Sequence, residues 1–212
     1  MTSRLDLFSE MNDHLLHDDE PSIYCNCAFD DFDFLEYPFT MLSKLKATKQ
    51  SPMHHPEGNV WNHTMLVIDV AAQVKSKSSN ANVFMWAALL HDIGKPDTTK
   101  NRNGKITAYD HDKLGAKVAK QFLNEFGCDE NFITAVSVLI RWHMQLLFVT
   151  NSLPFADIKK MKSQTAIEEV ALLGFCDRMG RLGSNRIEEE QNIALFLNKC
   201  KIFNKQTVNR RA

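Results

Sequence analysis

The chain has 212 residues, 44% of them hydrophobic, and sets 25 lysines and arginines against 26 aspartates and glutamates. That is apolar mass enough for one buried core. So even a charge balance excludes broad electrostatic attraction to nucleic acid or anionic lipid, while leaving room for a local basic pocket. Five cysteines (Cys25, Cys27, Cys128, Cys176 and Cys200) form no even framework, and Cys25 and Cys27 stand too close for the usual zinc pairing, so reduced thiols in a cytoplasmic protein are expected.

Residues 1–50 read as an N-terminal accessory segment. Its opening MTSRLDLFSEMNDHLLHDDE carries charges throughout and predicts neither a secretory signal nor a membrane span. Asp18-Asp19-Glu20-Pro21 and Asp30-Asp31-Phe32-Asp33-Phe34 break any sustained helical period, leaving one short helix near Pro38–Lys46. The alternating Asp-Phe run admits a metal-binding reading but fits better a loop that anchors its aromatics in the core. His14 and His17 fit a solvated helix face.

From residue 51 onward the pattern is helical. Ser51–Gly58 is a proline-bounded loop, and Asn59 is placed to cap a helix over Val60–Ser76, whose Val60, Thr64, Val67, Ala71 and Val74 form one apolar stripe beside His63. In the loop, His54, His55 and Glu57 either line a pocket mouth or simply face solvent, the second being the simpler reading. A nearly all-apolar helix is predicted over Asn82–Ile93, stopped by Gly94-Lys95-Pro96, which leaves His91 and Asp92 in its last turn at the rim of the core. Thr98–Gly104 reads as a polar turn. Further helices are predicted over His111–Phe126, Phe132–Leu147 (carrying His143), Thr165–Gly180 (carrying Asp177) and Ser184–Phe203. No strand alternation or repeat competes with an all-α fold.

Ligand-capable residues thus stand inside apolar strings on separate helices. A buried Asp92 within WAALLHDIG is expensive without a cation or hydrogen-bond partner, and nitrogen and carboxylate donors converging from several helices suit a hard or borderline divalent metal. No Ser-His-Asp arrangement or activated cysteine stands out as an alternative nucleophile.

His63, the His91-Asp92 doublet within HDIGK, and Asp177 resemble the four-part signature of the HD superfamily of metal-dependent phosphohydrolases. The strings HHPEGNVWNHTMLVID, LLHDIGKP, KITAYDHDKLGA, RWHM and CDRMGR, in that order, are similar more closely still to the HD domain of bacterial CCA-adding tRNA nucleotidyltransferases. The resemblance implies an HD phosphohydrolase domain over residues 51–212, an α-helical bundle in which His63, His91, Asp92 and Asp177 hold a first metal. Asp92 would bridge to a second ion that His111 and His143 complete. Where the family commonly reads Gly-His-Glu this chain has Asp110-His111-Asp112, and Asp110 is expected to cap the helix that follows.

The mixed donor set admits one or two ions of Mn, Fe, Co, Ni or Zn, with Mg also admissible. An ion so held activates bound water and polarises a phosphoryl oxygen. Asp92 and Lys95 are the expected catalytic residues. Lys95, Arg141 and Arg178 are candidates for substrate phosphate, unless they are ordinary surface cations, and Asp69 with Arg181 could form a structural ion pair. The resemblance implies action on a nucleotide or an RNA 3′ end, of 2′,3′-cyclic phosphodiesterase, 2′-nucleotidase or phosphatase type, with neither membrane nor strong general nucleic-acid binding. CCA addition is not expected, because too little chain precedes Met53 to supply the nucleotide-adding half. Nucleoside 5′-phosphatase or alarmone hydrolase activity, or a non-catalytic metal- and nucleotide-binding module, are the alternatives. Oligomeric state is not legible.

Overall fold

The computed structural model describes residues 3–29 and 32–209. It is an all-α bundle with one two-stranded ribbon. Asp30 and Asp31 of the Asp-Phe run lie outside the described residues, whereas Phe34 at its end is fully buried.

Before residue 51 the fold is more helical than its charges suggest. Helix α1 (Arg4–His17) starts at a reciprocal capping box between Ser3 and Asp6, and Leu7, Met11 and Leu15 repeat every fourth residue as a narrow buried seam. Phe8 stacks on Trp86 and Phe126 with ring centroids 4.6 and 4.2 Å apart, and Asn12 accepts the Trp86 indole N–H at 2.8 Å. Three apolar side chains at i, i+4, i+8 suffice when they seat against a neighbouring helix, which the interrupted sequence pattern did not reveal. His14 and His17 sit on the outer side of α1, paired with Asp18 and Asp13. Helix α2 (Ser22–Ala28) and helix α3 (Thr40–Ala47) follow, the latter close to the expected Pro38–Lys46.

Helix α4 (Val60–Val74) begins where Asn59 caps the N–H of Asn62 at 2.8 Å, as anticipated. Helix α5 (Ala81–Leu90) is buried without interruption from Val83 to Leu90 and forms the centre of the bundle. It ends sooner than expected. His91–Gly94 form a turn, and Lys95-Pro96 open a short helix α6 (Lys95–Thr98) where the sequence reading placed a stop. Proline's fixed φ suits a first helical turn as well as it suits a break.

The stretch read as a polar turn is a β-hairpin. Strands β1 (Lys100–Arg102) and β2 (Lys105–Thr107) pair antiparallel across Asn103-Gly104, both at positive φ (51° and 80°), the geometry a two-residue hairpin loop requires. Helix α7 (His111–Asn124) lies against helix α8 (Glu130–Trp142). The predicted helix through Leu147 breaks at His143-Met144 and resumes as helix α9 (Gln145–Thr150). A short helix α10 (Ile158–Lys162) precedes helix α11 (Ile167–Met179) and the long terminal helix α12 (Arg186–Asn209).

Helices α4, α5, α8 and α11 pack on one another, with α1 closing one side of α5 and α12 lying over α9 and α11. Trp61, Trp86 and Trp142 are all fully buried, and each indole N–H is matched by a side-chain amide oxygen of Asn26, Asn12 and Gln164 respectively. The stretch Glu130–Thr150 is long and apolar enough to cross a membrane on length and composition, but here it is two helices of this core.

Candidate metal centre

Five elements deliver ligand-capable side chains to one point. His63 projects from the first turn of α4, His91 and Asp92 from the turn closing α5, His111 from the first residue of α7, His143 from the C-cap of α8, and Asp177 from the last turn of α11. All six are buried. Two glycines permit the approach. A Cβ on Gly94 would collide with the His111 carbonyl and the backbone of Gly115, so only glycine lets α7 dock against the His91–Asp92 turn. A Cβ on Gly180 would collide with Val67, so glycine there brings the end of α11, with Asp177, onto α4 and His63.

The Asp92 carboxylate stands between two donor groups. Its Oδ2 lies 3.2 Å from His91 Nε2 and 3.9 Å from His63 Nε2, and its Oδ1 lies 3.4 Å from His111 Nε2. His63 Nε2 is 3.1 Å from Asp177 Oδ1. His63, His91 and Asp92 form one group, and Asp92, His111 and His143 a second, each with its donor atoms within 4.8 Å of one another.

Tautomers follow from the backbone. The Nδ1 atoms of His91, His111 and His143 each lie 2.7 Å from the carbonyl oxygen three residues earlier, of Ala88, Ala108 and Ile140. A carbonyl can only accept, so each Nδ1 carries the proton and each Nε2 presents a lone pair to the centre. His91 Nε2 is buried with no hydrogen-bond partner, and the Nε2 atoms of His111 and His143 face each other at 3.2 Å. Two opposed lone pairs, an orphaned third and a carboxylate between them are a donor set that fits one or two divalent cations.

The electrostatics agree. Burial drives His143 down to about 3, reinforced by His111 and His91, and burial likewise lowers His111, so both stay neutral and able to donate their lone pairs. Burial works against ionising Asp92, but its cationic surroundings, the Lys95 ammonium 2.6 Å away among them, hold the carboxyl well below its ordinary range. Asp177 is treated the same way: burial opposes its charge, and Arg181 and His63 prevail.

Behind His63 stands Glu57, which the sequence favoured as a surface-loop residue. It is buried, and its Oε1 lies 2.9 Å from His63 Nδ1 and 2.8 Å from His55 Nδ1 while Oε2 accepts from the Leu182 N–H at 3.4 Å. Burial alone would raise its pKa, but hydrogen bonds from His63, its own backbone and His55 bring it down to about 2. A carboxylate on the far nitrogen of a ligating imidazole fixes the ring and raises its basicity. Sequence spacing could not find it, because Gly58 at φ 104° turns the chain between Glu57 and the helix of His63.

Lys95 is buried, with Nζ 2.6 Å from Asp92 Oδ2 and 2.5 Å from Gln50 Oε1. Gln50, not anticipated, is itself held by its amide donating to the Asn59 carbonyl at 3.2 Å. The two arginines considered for phosphate both have carboxylate partners: Arg141 binds Asp112 and lies over the Trp142 ring, and Arg178 binds Glu189 of α12. Arg178 nevertheless lines, with His143, Asp177 and Arg181, a small cleft opening from the centre. The suggested Asp69–Arg181 pair does not form. Arg181 donates to Asp177 at 3.1 and 3.3 Å, and Asp69 instead takes the backbone N–H and hydroxyl of Ser22 at the start of α2. Nor does Asp110 cap α7 with its side chain. It occupies the N-cap at φ 60°, the left-handed region that suits the family's glycine and that aspartate tolerates better than most residues, while its carboxylate pairs with Lys113.

Comparison with known proteins gives the same outline. A 106-residue stretch, 50% of this chain, is 33% identical to the Multifunctional CCA protein of Actinobacillus pleuropneumoniae and covers 25% of that protein. A 95-residue stretch, 45% of the chain, is 33% identical to the Multifunctional CCA protein of Halorhodospira halophila and covers 21% of it. A 98-residue stretch, again 45% of the chain, is 28% identical to the A-adding tRNA nucleotidyltransferase of Deinococcus radiodurans, covering 21%. The chain thus spans only about a quarter of the length of these relatives, or less. The HD domain model matches residues 60–181, which contain all six of the clustered histidines and aspartates. The chain belongs to the HD domain family, of the metal-dependent phosphohydrolase superfamily.

Proposed function

We propose that this chain is a phosphohydrolase acting on phosphoesters of a nucleotide or an RNA 3′ end, of 2′,3′-cyclic phosphodiesterase, 2′-nucleotidase or phosphatase type, and that it works in the cytoplasm. The observation that carries the reading is the Asp92 carboxylate set between two groups of imidazole lone pairs. His63, His91, Asp92 and Asp177 would hold one divalent ion, and Asp92, His111 and His143 a second. Such ions supply an activated water and charge stabilisation for the phosphoryl oxygens.

The protein's own residues do the rest. Glu57 and the carbonyls of Ala88, Ala108 and Ile140 lock four imidazole rings so that no reorganisation is needed when charge develops. Lys95, steadied by Gln50, sits where its ammonium can meet a non-bridging phosphoryl oxygen beside Asp92. Arg178 and Arg181 at the cleft can meet further phosphate oxygens, and Arg141 contributes by tying α8 to Asp112 of α7 beside the His111–His143 pair.

Purified protein assayed on bis-p-nitrophenyl phosphate and on 2′,3′-cyclic AMP with Mn²⁺, Ni²⁺, Co²⁺ or Mg²⁺ should hydrolyse both with at least one metal. Complete inactivity with metal stoichiometrically bound would refute this reading and leave a binding module.

A further inference from the structure

The charge balance of the chain as a whole conceals a local excess. Residues 100–120 carry Lys100, Arg102, Lys105, Lys113, Lys117 and Lys120 against two carboxylates, Asp110 and Asp112. Asp112 is taken by Arg141 and Asp110 by Lys113, and among the described residues no other of these six cations is in an ion pair. Lys100, Arg102, Lys105, Lys113 and Lys117 are exposed.

The hairpin and α7 present these charges on either side of one corner. The register sets Arg102 directly opposite Lys105 on the two-stranded ribbon, an arrangement in which like charges repel unless an anion lies on them. Arg102 reaches down over the exposed ring of Tyr109, 5.0 Å from its centroid. From the other side Lys113 reaches back to Asp110 at 2.6 Å. Lys113, Lys117 and Lys120, spaced by four and three, then continue along one face of α7 for about 10 Å at helical rise. The residue after this Tyr109–Asp110 corner is His111, whose Nε2 lies 3.4 Å from Asp92. A basic track with an aromatic platform therefore begins beside the residue that faces Asp92 and leads away from it along the outer face of α7, opposite the buried His111, Gly115 and Ala119.

We propose that this surface docks a single-stranded polynucleotide whose terminal phosphoester lies in the metal centre. The inference rests on the phosphoester reading given above. Hairpin and α7 cations follow the backbone phosphates, and a base stacks on Tyr109, the combination by which single strands are held without sequence preference. A mononucleotide would leave the whole track uncontacted.

The test is fluorescence anisotropy of the full chain with fluorescein-labelled 12-mers of RNA and of DNA, titrated from 50 to 300 mM KCl. Wild type binds at least one of the two, with affinity falling as salt rises. The Lys100→Glu/Arg102→Glu/Lys105→Glu variant binds at least tenfold more weakly at 50 mM, and the magnitude of its log–log salt slope drops by about 2, three single-strand phosphate contacts at ~0.7 each. Tyr109→Ala weakens binding roughly tenfold at every salt concentration without changing the slope, because stacking releases no counterions. A matched reversal elsewhere, Lys159→Glu/Lys160→Glu/Lys201→Glu, stays within twofold of wild type. Circular dichroism and metal content confirm that each variant is folded. Wild type that binds neither 12-mer, a hairpin variant that binds as wild type does, or a control variant that loses as much would each overturn the proposal. Hydrolysis of bis-p-nitrophenyl phosphate without 12-mer binding removes the track and leaves the phosphohydrolase. Binding without hydrolysis under any metal does the reverse.

Discussion

Replacing Glu57 by Gln keeps the volume of a buried side chain and removes its charge, so the consequence can be read off its contacts. Oε1 serves His55 and His63 together, at 2.8 and 2.9 Å, and Oε2 takes the Leu182 N–H. An amide offers only one acceptor atom, so Gln must leave either the imidazoles or Leu182 facing an N–H₂ group. His63, whose charged form is penalised by burial but favoured more strongly by Asp177 and Glu57, loses one of those two supports. Loss of a partner behind a metal-ligating imidazole costs about 10- to 100-fold in metal affinity, or roughly 1.4–2.7 kcal/mol. Calorimetric titration of Mn²⁺ into Glu57→Gln and wild-type protein measures this directly, and ¹⁵N NMR of the His63 ring in the metal-free protein reports the tautomer independently of activity. A dissociation constant within twofold of wild type, with the ring tautomer unchanged, would refute the role given to Glu57.

The other consequences are sharper in kind than in size. His143→Ala removes one lone pair from the group around His111 and should lower the metal content from two equivalents to one by elemental analysis, so two retained equivalents would remove His143 from the donor set. Lys95→Ala should keep both ions and lose roughly 10²-fold in turnover, the scale for deleting a charge-stabilising donor, and unimpaired kinetics would make Lys95 purely structural. The metal-free protein should weaken in mild acid. His143 sits at about 3 when folded and near 6.5 when unfolded, so the unfolded chain takes up the proton first; the contribution is complete above about pH 6.5 and is lost as pH falls toward 3. One such group gives a slope of about 1.4 kcal/mol per pH unit, so between pH 7 and pH 5 the unfolding free energy from urea titrations should fall by roughly 2 kcal/mol more in wild type than in His143→Ala, and an equal fall in both would contradict a neutral buried His143.

Much of the buried cluster was readable because His63, His91, Asp92 and Asp177 interrupt apolar strings at places that make little sense for surface residues. Asp92 within WAALLHDIG and Asp177 within VALLGFCDRMG had to be buried, and a buried carboxylate needs a partner. Helices α4, α5 and α11 were legible for the same reason, since their apolar positions recur over three or four turns. What escaped depends on turns. Glu57 and Gln50 reach the centre from loops whose direction is set by Gly58 and by the pairing of Lys49 with Asn59, and no helical spacing connects them to His63 or Lys95. The hairpin was hidden because Asn103-Gly104 marks a polar turn and a two-residue ribbon loop alike, and only the strands on either side decide between them. The break after His143 separates two apolar stretches that read as one helix. At that break the ring turns inward to meet His111, and the amide of His143 is only weakly tied to Ile140, at 3.5 Å.

Crystals soaked with Mn²⁺ and measured at its absorption edge test the central claim most directly. Two anomalous peaks are predicted about 4 Å apart on either side of the Asp92 carboxylate, one among His63, His91 and Asp177 and the other between His111 and His143. Peaks confined to surface histidines such as His14 and His17, with the buried imidazoles unmoved and unligated, would contradict it.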